Sequence, residues 1–237
     1  MLNPKKYAFL CLILALAVLL TAVGLSRIGD SVAVWQAGSE SIPVFVIDAG
    51  HGGQDGGTTD PTGRKESEIN LEIALRLRDL MSLLGANTTM IRETDVSVET
   101  EGSTISARKV SDIRNRVRIV EQTPNSRLIS IHQNYYPEGK YRGAQVFYSK
   151  TAGSQEWAQA LQTLLNSQVD PNNQRECKVA GEIYLLQHIH CPAILVECGF
   201  LSNREEAILL QDPSYQKKFI AAIACCAIRD PEESNEV

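Results

Sequence analysis

The chain opens on a nearly unbroken apolar run, Tyr7 to Leu25, softened only by Tyr7, Thr21 and Gly24. As a helix it would be roughly 28 Å long at ~1.5 Å per residue, close to the hydrocarbon thickness of a bilayer. It has no polar face, so it does not read as a core helix. Lys5 and Lys6 precede it and would stay on the cytoplasmic side, which puts the rest of the chain outside. Ala22 and Gly24 offer a weak small-x-small cleavage site. Residues 1–26 therefore read as a signal-anchor or a signal peptide, and both readings export residues 27–237. Residues 27–41 are polar and mixed, and read as a linker.

The hydrophobic period then alternates between strand and helix. Ile42 to Asp48 is an apolar, β-rich run bounded by Gly50, which predicts a buried strand. A glycine-rich loop follows, from Ala49 to Glu66. Ser67 is placed to cap a helix from about Glu68 to Leu84, with Ile69, Ile73, Leu77, Leu80 and Leu84 on one face and Gly85 as its stop. Further strands are predicted at Asn87–Ile91, Leu128–Ile131, Ala144–Tyr148, Tyr184–Leu186 and Ala193–Val196. Further helices are predicted near Ser106–Gln122, with Val110, Ile113, Val117 and Val120 inside, and at Gln155–Gln168, Arg204–Leu210 and Tyr215–Ile228. This alternation implies an α/β fold: one three-layer domain over residues 42–229, with a mainly parallel or mixed central sheet flanked by helices. Residues 230–237 read as a loose acidic tail. Sites in such sheets gather at the carboxyl ends of strands, and His51, His132 and Glu197 all fall there.

Charge narrows the classes of partner. The 237 residues carry a formal net charge of −5, and residues 27–237 carry 21 positive and 28 negative side chains, a net of −7. That argues against a nucleic-acid binder. It also gives no attraction to anionic lipid or an anionic wall; were the exported part to work there, a specific site or partner would have to hold it. Five cysteines lie outside the apolar run, at 177, 191, 198, 225 and 226. They form no CxxC pair, which excludes a cysteine zinc site, and nothing in the spacing supports a Cys177–Cys191 disulfide.

The glycine loop does not fit a nucleotide. Asp55 stands where a dinucleotide fingerprint needs its third glycine, and there is no G-K-[ST]. No G-x-S-x-G or S-x-x-K marks a serine nucleophile. A metal fits better. A zinc enzyme needs three His, Glu or Asp ligands and one open position. His51 and His132 are two candidates, Glu66 or Glu68 could supply the third, and Glu197 remains as a general base. His188 and His190 form a competing H-x-H pair, whose blander reading is a polar loop before Pro192.

Four ordered blocks carry a resemblance. IDAGHGGQDGG (47–57), ESEINLEIALRL (66–77), SIHQN (130–134) and PAILVECGFLSNREEAILL (192–210) resemble the motifs of zinc-dependent N-acetylmuramoyl-L-alanine amidases of the amidase-3 type. The likeness runs from about Val44 to Ile228. The segment TEGSTISARKVSDIRNRV (100–117) and the short N-terminal membrane segment are similar to the CwlD-type germination-specific amidases of spore formers. The resemblance implies Zn²⁺ on His51, Glu66 and His132, with Glu66 rather than Glu68 opening the E-x-x-x-N-L block. It implies Glu197 as the catalytic residue and peptidoglycan as the substrate, cut between the muramic acid lactyl group and L-alanine. It also implies action on spore cortex toward muramic δ-lactam, and recruitment by the anchor or a helper protein. Asn134 is assigned to substrate positioning and Asp48 to orienting a ligand. The competing readings are a zinc peptidase that cuts within the stem peptide and a non-catalytic anchored wall-binding module. Ala49 departs from the proline common before the GHGG loop, which should loosen that turn slightly. Cys198 should point into the core, on the strand face opposite Glu197.

Overall fold

In the computed structural model, residues 42–228 are described. The membrane segment, linker and tail expected at 1–26, 27–41 and 230–237 lie outside the described residues. In chain order the elements are β1 (Val44–Ala49), α1 (Glu66–Leu83), β2 (Asn87–Met90), α2 (Ile105–Gln122), β3 (Ser126–Asn134) and β4 (Gln145–Tyr148). There follow α3 (Ser154–Leu164) with a π-helical turn (Leu165–Val169), β5 (Lys178–Val179), α4 (Tyr184–Gln187), β6 (Ala193–Phe200), α5 (Arg204–Gln211) and α6 (Pro213–Ile228).

Among the described residues the strands form one sheet in the order β2-β1-β3-β6-β4-β5. β1, β2, β3 and β6 run parallel, and β4 runs antiparallel to β6. The sheet is therefore mixed, with its parallel strands running from the β2 edge to β6 and the reversed β4 and β5 beyond them. Strand alternation sends successive side chains to opposite faces. Phe45, Ile47, Ile129, Ile131, Ile194 and Val196 enter one core, where they meet α1, α3 and α6 through Ile73, Leu77, Leu161, Phe219 and Ile223. Val46, Leu128, Ala193 and Leu195 enter a second core beneath α2 and α4, with Val120 and Leu185. These two cores and the sheet between them make the three layers.

The same parity places the polar groups. Asp48, Ser130, His132 and Glu197 continue the rows of Val46, Leu128 and Leu195, so they share the α2 face at the carboxyl end of the sheet. Cys198 falls on the other face and is fully buried in the first core, as expected.

Three local expectations fail. Ser67 does not cap α1: the helix begins at Glu66, its N-cap is Lys65, and Ser67 is buried in the first turn. Tyr184–Leu186 is a short helix rather than a strand, because a brief apolar run carries no decisive period. Val110 is exposed on α2, whose buried positions include Ser111, Asn115 and Arg116. That helix presents polar side chains to the site, so its apolar pattern is incomplete.

Candidate metal centre

Three parts of the fold deliver the candidate ligands: the loop after β1, α1 and β3. The loop after β1 turns sharply at His51, a non-glycine residue in the left-handed region at φ 61°. Such a residue is strained unless its surroundings hold it. Two buried arginines do so. Arg116 donates to Asp48, to Ala49 O at 3.0 Å and to His51 O at 2.7 Å. Arg92 donates to Ala49 O at 2.8 Å, to Gly50 O at 3.1 Å and to Ser67 O at 2.8 Å. The turn expected to loosen at Ala49 is thus clamped through that residue's own carbonyl.

Glycine is needed where the loop approaches the ligands. A Cβ on Gly50 would lie 2.2 Å from the His132 ring, and one on Gly57 would lie 2.5 Å from Glu66 Oε2 and 2.8 Å from the His51 ring. The motif's glycines therefore make room for the histidines and the glutamate.

α1 supplies Glu66 from its first turn, and β3 supplies His132 near its end. Glu66 Oε1 lies 3.3 Å from His51 Nε2 and 3.1 Å from His132 Nδ1. The ligand atoms of His51, Glu66 and His132 lie within 4.8 Å of one another. The Glu66 carboxylate is held from several directions. The Gln133 N–H donates to Oε1 at 3.1 Å, the Thr58 N–H to Oε2 at 3.1 Å, and Asn70 Nδ2 to Oε1 at 3.3 Å. Asn70 also donates to Gly50 O at 3.1 Å. Residues 66 and 70 share a helix face, which explains the E-x-x-x-N spacing. Burial alone would raise the Glu66 carboxyl, but the two histidines hold it well below the usual range.

Asp55 completes the arrangement. Its Oδ2 lies 2.9 Å from His51 Nδ1, and Lys109 Nζ lies 2.7 Å from its Oδ1. A carboxylate on the outer ring nitrogen keeps a proton there and turns Nε2 inward as a ligand. Burial lowers the His51 imidazole, yet its hydrogen bonds to Asp55 and Glu66 carry it up to about 9. Two imidazoles and a carboxylate with this support match the donor set of a catalytic zinc site.

The neighbouring strand β6 differs. Glu197 sits on β6 in register with His132. Its Oε2 is shut away from solvent and has no hydrogen-bond partner among the described residues. Burial, with Glu66 nearby, pushes its carboxyl up to about 7 against the pull of His132 and His51.

The other sequence candidates fall as follows. Glu68 is not brought into the cluster. Asp48 does not touch a candidate ligand's side chain; it pairs with Arg116 and accepts from Ser130 Oγ at 2.6 Å. Asn134 lies two residues beyond His132 and accepts the Tyr135 N–H at 2.8 Å. His188 and His190 do not join: their Nδ1 atoms lie 2.8 Å from Tyr184 O and 2.8 Å from Glu121 Oε2, ahead of β6. Cys177 and Cys191 are free thiols. Sequence reasoning gave no role to Asp55, Arg92 or Arg116. Only Asp55 carried a signal, because i, i+4 from His51 inside a glycine loop is a reachable pair.

Comparison with known proteins places the chain in a family. The family model for N-acetylmuramoyl-L-alanine amidases matches residues 45–229. The germination-specific N-acetylmuramoyl-L-alanine amidase of Bacillus subtilis is 40% identical over 184 residues, spanning 76% of this chain and 76% of that protein. The amidase LytC of the same organism is 28% identical over 180 residues, spanning 75% of this chain but 33% of that protein. The solved structure of the CwlD amidase from Clostridioides difficile, in complex with the GerS lipoprotein, superposes with a TM-score of 0.75 at 38% identity. That match covers 78% of this chain and 96% of the other. The chain belongs to the N-acetylmuramoyl-L-alanine amidase family, and it is an amidase of the CwlD type.

Proposed function

We propose that this amidase is zinc-dependent, with the ion held by His51, Glu66 and His132 and with Glu197 as proton carrier. One observation carries the reading: three ligand atoms converge within 4.8 Å, and on the strand paired with that of His132 stands a carboxylate whose Oε2 is buried without a partner among the described residues. When bound, the zinc ion makes water acidic enough to attack and polarises the scissile carbonyl. Glu197 takes the proton of the attacking water. It then gives that proton to the departing amine of L-alanine, which leaves the lactyl carboxylate on muramic acid. A carboxyl near 7 suits both halves of that task at neutral pH. Asn134, at the end of β3, is assigned to meeting the substrate, with Oδ1 engaged by Tyr135 and its amide NH₂ without a partner among the described residues. Asp48 acts at one remove: it fixes Arg116, and Arg116 fixes the backbone of His51.

The substrate bond joins the muramic acid lactyl group to the stem peptide. The germination-specific relative supports spore cortex as the setting, where stem removal precedes formation of muramic δ-lactam. The apolar run at 7–25 supports export with an anchor or a cleaved signal. The lipoprotein complex of the Clostridioides difficile neighbour supports recruitment by a helper protein. The test is digestion of purified peptidoglycan by the full chain with zinc, read by mass spectrometry. Free stem peptides beginning at L-alanine are expected. Fragments cut inside the stem would make it a peptidase instead. Cortex from a strain lacking the protein is expected to carry no muramic δ-lactam.

A further inference from the structure

The metal reading uses only the first part of the block PAILVECGFLSNREEAILL. The rest of that block has a separate structural task. Ser202 lies 3.0 Å from the backbone nitrogen of Tyr136, whose N–H donates to its Oγ. Asn203 Nδ2 donates to Gly139 O at 3.0 Å. Buried Glu206 accepts the N–H of Gly143 and the N–H of Phe200, each at 2.8 Å. These three side chains pin the loop between β3 and β4 to the end of β6. That loop leaves β3 directly after His132 and Asn134, so it stands beside the candidate metal centre.

The pinned loop displays aromatic rings. Tyr135, Tyr136 and Tyr141 are 49%, 44% and 37% exposed. Tyr136 and Tyr141 meet edge to face with centroids 4.6 Å apart, and Tyr141 leans on Phe200 at 6.2 Å. The phenol hydroxyls make no hydrogen bond among the described residues. The loop's cations are already engaged: Lys140 pairs with Glu138, and Arg142 with Asp170 at 3.4 Å. An acidic peptide therefore finds no unpaired cation on this shelf. Lys140 Nζ also lies 5.2 Å from the Tyr141 ring centroid, so what the shelf offers is chiefly the rings of Tyr135 and Tyr136, backed by Tyr141, with free hydroxyls on a rigid support. That combination suits a pyranose, whose axial C–H groups pack on an aromatic face while its hydroxyls bond to polar tips.

We propose that Tyr135, Tyr136 and Tyr141 form a shelf for a sugar ring of the glycan strand beside the scissile bond. The proposal rests on the amidase reading, which requires a substrate carrying both sugar and peptide. Because this chain's charge gives no general attraction to the wall, a shelf of this kind supplies specific affinity. A preorganised loop also keeps the ordering cost of binding low.

The test uses the full chain and glycan oligosaccharides stripped of stem peptides, which contain no scissile bond. Saturation-transfer NMR is expected to light the ring-face protons of the sugar with the wild type and with Tyr136→Phe. The signal should fall severalfold with Tyr136→Ala and with Tyr135→Ala. On intact glycan strands, Tyr136→Ala is expected to raise KM about tenfold with kcat nearly unchanged, as a loss of uniform binding requires. Should Tyr136→Ala fail to fold, Tyr135→Ala, which has no ring partner among the described residues, carries the test. Unaltered sugar binding in the alanine variants would overturn the proposal, as would saturation reaching free stem peptide instead of sugar. Either result leaves the amidase reading standing, because wild-type release of peptides beginning at L-alanine is measured separately.

Discussion

The two walls of the site each hold a glutamate, and they treat it in opposite ways. On the loop-and-helix wall, Glu66 receives N–H groups from residues 58, 70 and 133 and faces two histidines, so it stays ionised. On the β6 wall, Glu197 has an oxygen with no partner and a carboxyl pushed up to about 7. The contrast teaches that environment, rather than residue type, separates a fixed ligand from a proton carrier. A carboxylate saturated with donors has a fixed orientation and charge. One with a buried oxygen that no donor reaches can load and unload a proton.

The comparison breaks most visibly at Glu197. Glu197→Ala is expected to lower kcat by about 10²–10⁴-fold, the span of general acid–base catalysis, while zinc content by mass spectrometry stays at one ion per chain. The Arg116 clamp comes next. Removing one partner of a buried ion pair costs about 3–5 kcal/mol, so Arg116→Ala should show that loss in denaturant unfolding at pH 7. Acid sharpens the same point. Burial raises the Asp48 carboxyl, but Arg116, His132 and Ser130 together hold it below the usual range. A depressed carboxylate stabilises the fold above its unfolded value of about 3.9, and that stability fades as pH falls through the lower folded value. Wild type should therefore lose stability below about pH 4 by more than Arg116→Ala does, read by unfolding at pH 7 and pH 3.

Asp55→Asn tests the support behind the ligand wall. It should weaken zinc affinity about 10–100-fold in a competition titration, with little change in melting temperature. The smallest effect belongs to Asn203, which caps α5 by accepting the Glu206 N–H at 3.1 Å. Asn203→Ala should cost about 1 kcal/mol of stability in thermal unfolding, without loss of zinc.

The sequence made part of this legible. The glycine loop and the face of the sheet shared by His132 and Glu197 are local signals that survive folding, although both strands run on past the ends expected, β3 to Asn134 and β6 to Phe200. Strand period also placed Cys198 opposite Glu197. The supporting contacts were hidden because they join distant positions. Arg116 reaches Asp48 and His51 across 68 and 65 residues, and Arg92 reaches Ala49 across 43. An arginine on an amphipathic helix ordinarily reads as solvated, so α2 gave no sign that Arg116 is buried. Ser67 misled for a different reason: a serine before an apolar run is a cap signal, but the loop's bonds start the helix at Glu66, with the Glu66 N–H donating to Thr58 O at 2.8 Å. The two-residue strand β5 is too short for any period to mark.

The most direct test compares Glu66→Gln with Glu197→Gln, measuring bound zinc and the release of stem peptides from peptidoglycan in the same preparations. The account predicts that Glu66→Gln loses the metal and, with it, turnover, while Glu197→Gln keeps one zinc per chain and releases no peptide. Zinc retained by Glu66→Gln, or peptide released at the wild-type rate by Glu197→Gln, would contradict the roles assigned to the two walls.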